Sequence, residues 1–310
     1  MDAAQRTSVP PVMVAVDGSG ESDAALRWAA EEAARRGAGL QVVHVWSAPV
    51  VPWPTPFSGA VIDPAPFEAE ARRVLDDAQG LVRRELGDRA PNVEPVLVQG
   101  PVVTRLMEAS VGADLLVLGS RGRGGFASLL LGSVASGCAH HTTIPLAVIQ
   151  GRGVLPGTGR VVVGVDDSAG GRAALRWAAV EAARLGSPLE VVHGWETPYA
   201  VPPGGMAFAP IHDAEFVEAA DRLTSGLVDE VLADLPDRPE VTCRSVPQTA
   251  PQALLTEAKG AGLLVVGSRG RGGIAGLVLG SVSQQCLHHA PCPIVVVPAR
   301  TAPGGGSDGR

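Results

Sequence analysis

The sequence predicts an α/β protein made of two tandem, doubly wound domains. The chain has 310 residues, about twice the length of a typical domain. Long motifs of the first half recur in the same order in the second half. Within each half, apolar strand-like runs alternate with segments of helical periodicity, which is the pattern of a parallel sheet covered by helices on both faces.

Two motifs define the repeat. Val16-Asp17-Gly18-Ser19 returns as Val165-Asp166-Asp167-Ser168, and the segment 119–125 returns unchanged as 267–273. The copies are collinear to within one residue. We therefore predict a first domain over 8–150, a Gly/Pro-containing linker over 151–159, a second domain over 160–300 and a disordered tail over 301–310.

The elements of the first copy follow from its periodicity. Strands are predicted where apolar residues run without alternation, as in a sheet buried on both faces: 12–16, 40–46, 93–98, 115–118 and 146–149. Helices are predicted at 22–36, with Gly37 as C-cap, around 67–82, at 102–110 and at 133–141. In such a sheet, ligands bind beyond the carboxyl ends of the strands, where the strand order reverses.

Composition excludes several classes of function. A net charge of −7 and a pI near 5.5 argue against nucleic-acid binding. No apolar run is long enough to span a membrane, and the start of the chain lacks the pattern of a signal peptide. The four cysteines are too scattered for a disulfide framework. These features predict a cytoplasmic protein.

The glycine loop carries the main chemical signal. Gly119-x-x-Gly122 is followed by nine residues and then Gly132-Ser133, directly after an apolar strand, and the second copy repeats this spacing. Glycines allow successive backbone N–H groups to point at one anion. The following helix begins at Ser133, so its free N–H groups and dipole favour a phosphate. Arg121 and Arg123 are candidates to hold phosphate oxygens, with water-exposed side chains as the alternative.

This loop, together with an aspartate that ends the first strand, resembles the universal stress protein family in its ATP-binding branch. The resemblance covers nearly the whole chain, twice. It implies an adenine nucleotide α-hydrolase-like fold with a five-stranded parallel sheet per domain. It also implies that adenine lies near the ends of the first two strands, with the phosphates on the glycine loop.

Carried over residue by residue, the resemblance implies two sets of nucleotide-binding residues. In the first copy they are Ala15, Asp17, Val45, Gly119, Ser120, Arg121, Gly122, Arg123, Gly124, Gly125, Gly132, Ser133 and Val134. In the second copy they are Gly164, Asp166, Gly194, Gly267, Ser268, Arg269, Gly270, Arg271, Gly272, Gly273, Gly280, Ser281 and Val282. The family often has glycine at the position of Ala15, and commonly has glycine at that of Gln248, where the first copy has Gly100.

The predicted function is an ATP-binding protein of the stress response or of signalling, with two ATP sites per chain and with or without Mg²⁺. Protein partners in stress signalling are expected, but no nucleic acid or membrane. The sequence has one lysine, Lys259, and no Walker motif, so rapid phosphoryl transfer is not expected. A slow ATPase or nucleotidyl-transferring enzyme and an interaction module with vestigial loops stay open as alternatives.

Several residues have a structural and a functional interpretation. Asp17 and Asp166 fit a turn or cap as well as a ribose or metal contact. The His-His pairs at 140–141 and 288–289 fit a helix end better than a zinc site. Trp28 and Trp177 are predicted to pack in the core or at a domain contact. The Pro-rich stretches 47–66 and 197–210 fit a flap over the nucleotide or a subunit contact.

The last strand of each copy, 146–149 and 294–297, is strongly apolar. Such a strand at a sheet edge leaves backbone groups unpaired and promotes aggregation unless it is covered. We therefore expect the two halves to form an intramolecular pseudo-dimer through these strands, with or without a further homodimer contact. Single-domain relatives typically dimerise through this region, which the resemblance extends to this chain.

Overall fold

The structure is a computed structural model that describes residues 9–48, 63–123, 131–151, 157, 159–196, 214–270 and 279–299. The chain divides into two units, Met1–Pro156 (unit 1) and Gly157–Arg310 (unit 2). Each unit alternates strands and helices, so the α/β fold class predicted from the sequence is confirmed.

Unit 1 contains five parallel strands and four α-helices among its described residues. In chain order these are β1 (Val12–Ala15), α1 (Gly20–Arg36), β2 (Leu40–Trp46), α2 (Ala65–Leu86), β3 (Val93–Gln99), α3 (Val102–Ala109), β4 (Leu115–Gly119), α4 (Ser133–His141) and β5 (Leu146–Ile149). A short 3₁₀ helix, Gly87–Arg89, follows α2. The strand order is β3-β2-β1-β4-β5. The strands β2 and β3 therefore lie on one side of β1, and β4 and β5 lie on its other side. The strand order reverses between β1 and β4, and we call this place the switch point.

Unit 2 repeats this arrangement. Its elements are β6 (Val161–Gly164), α5 (Ala169–Leu185), β7 (Leu189–Gly194), α6 (Ala214–Val231), β8 (Val241–Val246), α7 (Ala250–Glu257), β9 (Leu263–Gly267), α8 (Ser281–His289) and β10 (Ile294–Val297). Its strand order is β8-β7-β6-β9-β10, again parallel, with the switch point between β6 and β9.

Local sequence signals determine where the first helix of each unit begins and ends. The backbone N–H of Ser22 donates to Ser19 Oγ over 3.2 Å, and that of Gly171 donates to Ser168 Oγ over 3.0 Å. Both serines are therefore N-caps. Gly37 ends α1 with a φ of 62°, a left-handed conformation that favours glycine, and its C-cap role is confirmed.

The central strands form the core of each unit because their side chains are buried on both faces. Residues 12–14 of β1 and 115–118 of β4 are almost completely inaccessible to solvent, as continuous apolar runs predict. Trp28 on α1 is buried, which confirms its place in the core, whereas Trp177 on α5 is only half-buried. The histidine pairs lie in the last turns of α4 and α8, so the helix-end interpretation of their position is confirmed. No helix among the described residues is long and apolar enough to cross a membrane.

Candidate functional site

A cavity of about 480 Å³ opens at the carboxyl edge of unit 1, between the ends of β1 and β4. This is where the strand order reverses. The cavity brings together every residue that the sequence assigned to the first site and that the structure describes. These are Ala15, Asp17, Val45, Gly119, Ser120, Arg121, Gly122, Arg123, Gly132, Ser133 and Val134. Gly124 and Gly125 lie outside the described residues.

Asp17 joins the end of β1 to the glycine loop. Its Oδ1 accepts a hydrogen bond from the backbone N–H of Ser19 at 2.9 Å, and its Oδ2 accepts one from the backbone N–H of Arg123 at 2.8 Å. A Cβ atom on Gly122 would overlap Oδ2 of Asp17. Gly122 is therefore required for the close approach of this carboxylate, besides any role towards a ligand.

The environment of Asp17 keeps its carboxylate ionised. Burial raises its pKa, but hydrogen bonds from Ser19, Ser22 and the backbone of Arg123 favour the charged form. The hydrogen bonds outweigh the burial, so the pKa of Asp17 lies below its ordinary value. A carboxylate with a lowered pKa is a weak general base at neutral pH.

Both arginines of the loop have partners within the protein. Nη2 of Arg121 donates to Oε1 of Glu21 over 3.0 Å, and Nη2 of Arg123 donates to the carbonyl of Gly18 over 3.2 Å. The side chain of Arg121 is nevertheless 43% exposed, so its guanidinium can exchange Glu21 for another anion. Both side chains line the cavity, at the end where the glycine loop lies.

The beginning of α4 supplies further donors. Gly132 is its N-cap and no side chain caps the first turn, so the N–H groups of Ser133, Val134 and Ala135 have no acceptor one turn earlier in the helix. The backbone N–H of Gly132 donates to the carbonyl of Ser120 over 2.7 Å, which holds this helix end against the loop. Free N–H groups beside a cavity, at the positive end of a helix dipole, favour an anion.

The opposite wall of the cavity is apolar. Val45 from the end of β2 and Ala15 from β1 face Val102 and Leu106 of α3. Neither α3 residue was selected from the sequence, although α3 follows β3 at the carboxyl edge and could have been identified on that ground. An apolar wall opposite a set of N–H donors suits a ligand with a planar base and a phosphate chain.

His44 has a structural contact rather than a place in the cavity lining. Its Nδ1 lies 2.7 Å from the carbonyl oxygen of Val16, and Nδ1 of His193 lies 2.9 Å from that of Val165. Because a carbonyl accepts only, the ring nitrogen donates in both copies. Each histidine therefore fixes the backbone directly before the site aspartate.

Unit 2 has a cavity at the same place, but its volume is about 70 Å³. Seven residues assigned to the second site line it, whereas Ser268, Gly280 and Ser281 do not. The seven are Gly164, Asp166, Gly194, Gly267, Arg269, Gly270 and Val282. Arg271, Gly272 and Gly273 lie outside the described residues.

The aspartate of unit 2 repeats part of the geometry of Asp17. Oδ1 of Asp166 accepts the backbone N–H of Ser168 at 3.3 Å and also its hydroxyl. A Cβ atom on Gly270 would lie 2.6 Å from Oδ2 of Asp166, so glycine is required here as at Gly122. Gly170 of unit 2 corresponds to Glu21 of unit 1. A Cβ atom on Gly170 would overlap the carbonyl oxygen of Arg269.

The cysteines and histidines that the structure describes do not assemble a metal site. Within the described ranges, no group of three or more His, Cys, Asp or Glu residues could hold a metal ion. Cys286 and Cys292 are buried, and burial raises the pKa of each thiol to about 12. A thiol with so high a pKa stays protonated at neutral pH and is a poor nucleophile.

Comparison with known proteins gives one family for both units. Residues 9–150 and 157–298 each match the universal stress protein family. The chain is 37% identical over 297 residues to the universal stress protein Rv2005c of Mycobacterium tuberculosis, covering 92% of this chain and 96% of that protein. It is 35% identical over 296 residues to a universal stress protein of Mycolicibacterium smegmatis, covering 93% and 97%.

The fold is also found in solved structures. The crystal structure of a universal stress protein from Archaeoglobus fulgidus superposes with a TM-score of 0.66 and 21% identity, over 93% of this chain and 96% of that chain. At this identity the likeness concerns the fold alone.

Proposed function

The chain belongs to the universal stress protein family, with two domains of that family in tandem, and from this premise we propose that it is an ATP-binding protein of the stress response or of signalling. The observation that carries the proposal is the cavity of unit 1. Its volume of about 480 Å³ lies within the range of about 300–1,000 Å³ that small-molecule sites occupy.

The chemistry of the cavity wall supports a nucleotide in a defined orientation. The adenine base packs between Ala15, Val45 and the α3 side chains, and the phosphates extend towards the glycine loop and the beginning of α4. There the N–H groups of Ser133 and Val134 donate to phosphate oxygens, and Arg121 exchanges Glu21 for the phosphate charge. Asp17, which lies in the cavity lining at the end of β1, would contact the ribose or help to hold Mg²⁺, which would neutralise phosphate charge there.

Binding, rather than turnover, is the proposed role. Proteins of this family are generally not classed as enzymes. Hydrolysis of ATP needs a positioned base or a metal-held water at the γ-phosphate. Both oxygens of Asp17 accept backbone N–H groups and its pKa is lowered, so this carboxylate is poorly suited to take a proton from water.

We also propose that the two units form an intramolecular pseudo-dimer through their last strands. In unit 1, β5 lies beside β4 at one end of the strand order, and in unit 2, β10 lies beside β9 at one end. Both strands are composed entirely of apolar residues. Covering such an edge prevents association with other chains. Because both strands belong to one chain, the effective concentration of one for the other is about millimolar, as for two sites joined by a short flexible linker.

The test of nucleotide binding is calorimetric titration of the full chain with ATP, GTP and pyrophosphate. Ser133→Glu places a carboxylate where the phosphate is proposed to lie, and it suits the first turn of α4 because the helix dipole favours an acid there. Ser133 is exposed, so folding should be unaffected. Loss of ATP binding in Ser133→Glu is expected, while Val111→Glu, which adds the same charge at an 82% exposed position outside the cavity lining, should bind normally. A wild-type chain that binds none of the three ligands would contradict the proposal.

A further inference from the structure

The two copies carry the same glycine loop, but the space beside the loop differs about sevenfold. The cavity of unit 1 measures about 480 Å³ and that of unit 2 about 70 Å³. A nucleotide site requires several hundred Å³, whereas a volume below 100 Å³ holds a few water molecules. The lining of the smaller cavity lacks Ser268, Gly280 and Ser281 at the loop end, and at its apolar end three positions of the second copy depart from the first.

The first departure is at the end of the second strand. Val45 of unit 1 is replaced by Gly194 in unit 2, and the chain leading into α7 approaches that glycine closely. A Cβ atom on Gly194 would lie 2.6 Å from Cα of Ala250 and 3.0 Å from the carbonyl oxygen of Gln248. Because both neighbouring atoms belong to the backbone, a valine cannot be accommodated unless the whole segment 248–250 moves outward.

The second departure sets the path of that segment. In unit 1 the corresponding position is Gly100, which has a φ of 138° and donates its N–H to the carbonyl of Trp46 over 3.0 Å. L-residues rarely adopt this φ. In unit 2 the position is Gln248, whose N–H donates to the carbonyl of Val246 over 2.8 Å. The chain therefore turns differently before α7, and this turn carries residue 250 onto β7.

The third departure lies at the end of the first strand. Gly164 of unit 2 replaces Ala15 of unit 1. A Cβ atom on Gly164 would lie 2.7 Å from Cδ1 of Leu254 on α7, so Leu254 occupies the space where unit 1 has the methyl group of Ala15. Gly164 and Gly194 thus remove two side chains that hold this helix away from the sheet, and α7 fills their place.

From this geometry we infer that the chain binds one adenine nucleotide, in unit 1, and that unit 2 excludes the base because residues 248–254 close on Gly164 and Gly194. The inference rests on the proposed function of unit 1. The two sites then differ because unit 1 has Gly100 where unit 2 has Gln248, although the glycine loops 119–125 and 267–273 are identical in sequence.

The stoichiometry of ATP binding to the full chain tests this inference separately from the proposed function. One equivalent is expected, and Ser133→Glu should remove it. Two equivalents, or ATP binding that survives in Ser133→Glu, would overturn the inference and leave nucleotide binding standing. Zero equivalents for the wild type would overturn the proposed function and, with it, this inference.

Exchange of the determinants provides the second test. Gly164→Ala, Gly194→Val and Gln248→Gly together rebuild in unit 2 the set that unit 1 has at Ala15, Val45 and Gly100, and a second ATP equivalent should appear. In the reverse direction, Gly100→Gln forces a strained φ or a moved α3 and should weaken ATP binding in unit 1 about tenfold or more. Unchanged ATP affinity in a folded Gly100→Gln variant, judged by its circular dichroism, would show that this position does not control the pocket.

Discussion

The backbone N–H of Arg123 donates to Oδ2 of Asp17 over 2.8 Å, so the glycine loop is fastened to the end of β1 by the carboxylate that the sequence singles out. Gly122 lies directly against the same oxygen, with no room for a Cβ atom. The conformation of the loop and the ionisation of Asp17 are therefore coupled. This coupling makes the site testable without any ligand.

The first prediction concerns the contact between Gly122 and Asp17. Gly122→Ala should destabilise the protein by about 1–3 kcal/mol because the new methyl group displaces the carboxylate. In an Asp17→Ala background the same substitution should cost much less, which gives a coupling free energy of about 1 kcal/mol or more in a double-mutant cycle. Urea unfolding of the four variants measures it. Gly226→Ala, where no atom lies within 4 Å of the new Cβ, is the control and should be neutral or slightly stabilising. Strict additivity would show that the two residues do not constrain each other.

The second prediction concerns pH. Because the pKa of Asp17 is lowered in the folded state, its contribution to stability is present above the ordinary aspartate pKa of about 3.9 and is lost as the pH falls through the folded-state pKa. Asp17→Asn should therefore lower the free energy of unfolding by about 1 kcal/mol at neutral pH. The difference from wild type should shrink below about pH 4. Urea midpoints between neutral pH and about pH 3 measure this, with Asp77→Asn on the exposed side of α2 as a control for loss of one charge. A difference that stays constant over this range would contradict the assignment.

Sequence reasoning predicted the elements of this fold well because their signals are local. Ser19, Ser168 and Gly37 cap helices through contacts with residues a few positions away, and the apolar strand runs reflect burial on both faces. The glycine loop was recognisable for the same reason. Its close contact with Asp17 was not, since about a hundred residues separate the two in the chain.

The difference between the two cavities could not be predicted either. Gln248 and Gly194 are visible in the sequence as departures, and taken singly each suggests only a small change. Their joint effect depends on the path of the chain between β8 and α7, which the sequence does not show. Replacement of Gly122 or Gly270 by glutamate would displace the neighbouring aspartate as well as a bound phosphate. Ser133→Glu therefore reports on ligand binding more directly.

The third prediction concerns the ion pair between Glu21 and Arg121. Oε1 of Glu21 accepts from Arg121, while Oε2 is buried with no hydrogen-bond partner among the described residues. Glu21→Gln removes a negative charge beside the phosphate end and frees the guanidinium. We expect ATP to bind about fivefold more tightly, a gain of about 1 kcal/mol. Glu31→Gln is the control, because its ion pair with Arg89 lies outside the cavity lining and its loss should leave ATP binding unchanged. Weaker binding in Glu21→Gln would show that Glu21 itself contacts the ligand.

The fourth prediction concerns Glu32, which is completely buried on α1. Its carboxylate accepts from Arg35 at 3.0 Å and also from Arg36, whose side chain is itself buried and contacts Asp114. Glu32→Ala should destabilise the protein by about 3 kcal/mol, because the guanidinium of Arg36 would remain buried after losing one of its carboxylate partners. The matched substitution is Glu181→Ala in unit 2. There Leu185 stands at the position of Arg36 and the partner Arg184 is one-third exposed, so a smaller loss is expected. Equal losses of unfolding free energy in the two variants would contradict this explanation.

The last prediction concerns assembly of the two units. Val148 in β5 and Val296 in β10 are fully buried, so an aspartate at either position would damage the core of its own unit, and a lower melting temperature would not report on a contact between units. Cutting the chain avoids this problem. A protease site inserted between Gly151 and Gly159 leaves both sheets intact and removes only the covalent linkage. If the last strands associate, the cleaved halves should stay together in size-exclusion chromatography at micromolar concentration, because apolar edge strands dissociate slowly once paired. The cleaved protein should also melt at a lower temperature when diluted, since the contact has become bimolecular. Halves that separate at every concentration, with the circular dichroism of the intact chain, would show that the units fold independently and that these edges are protected in another way.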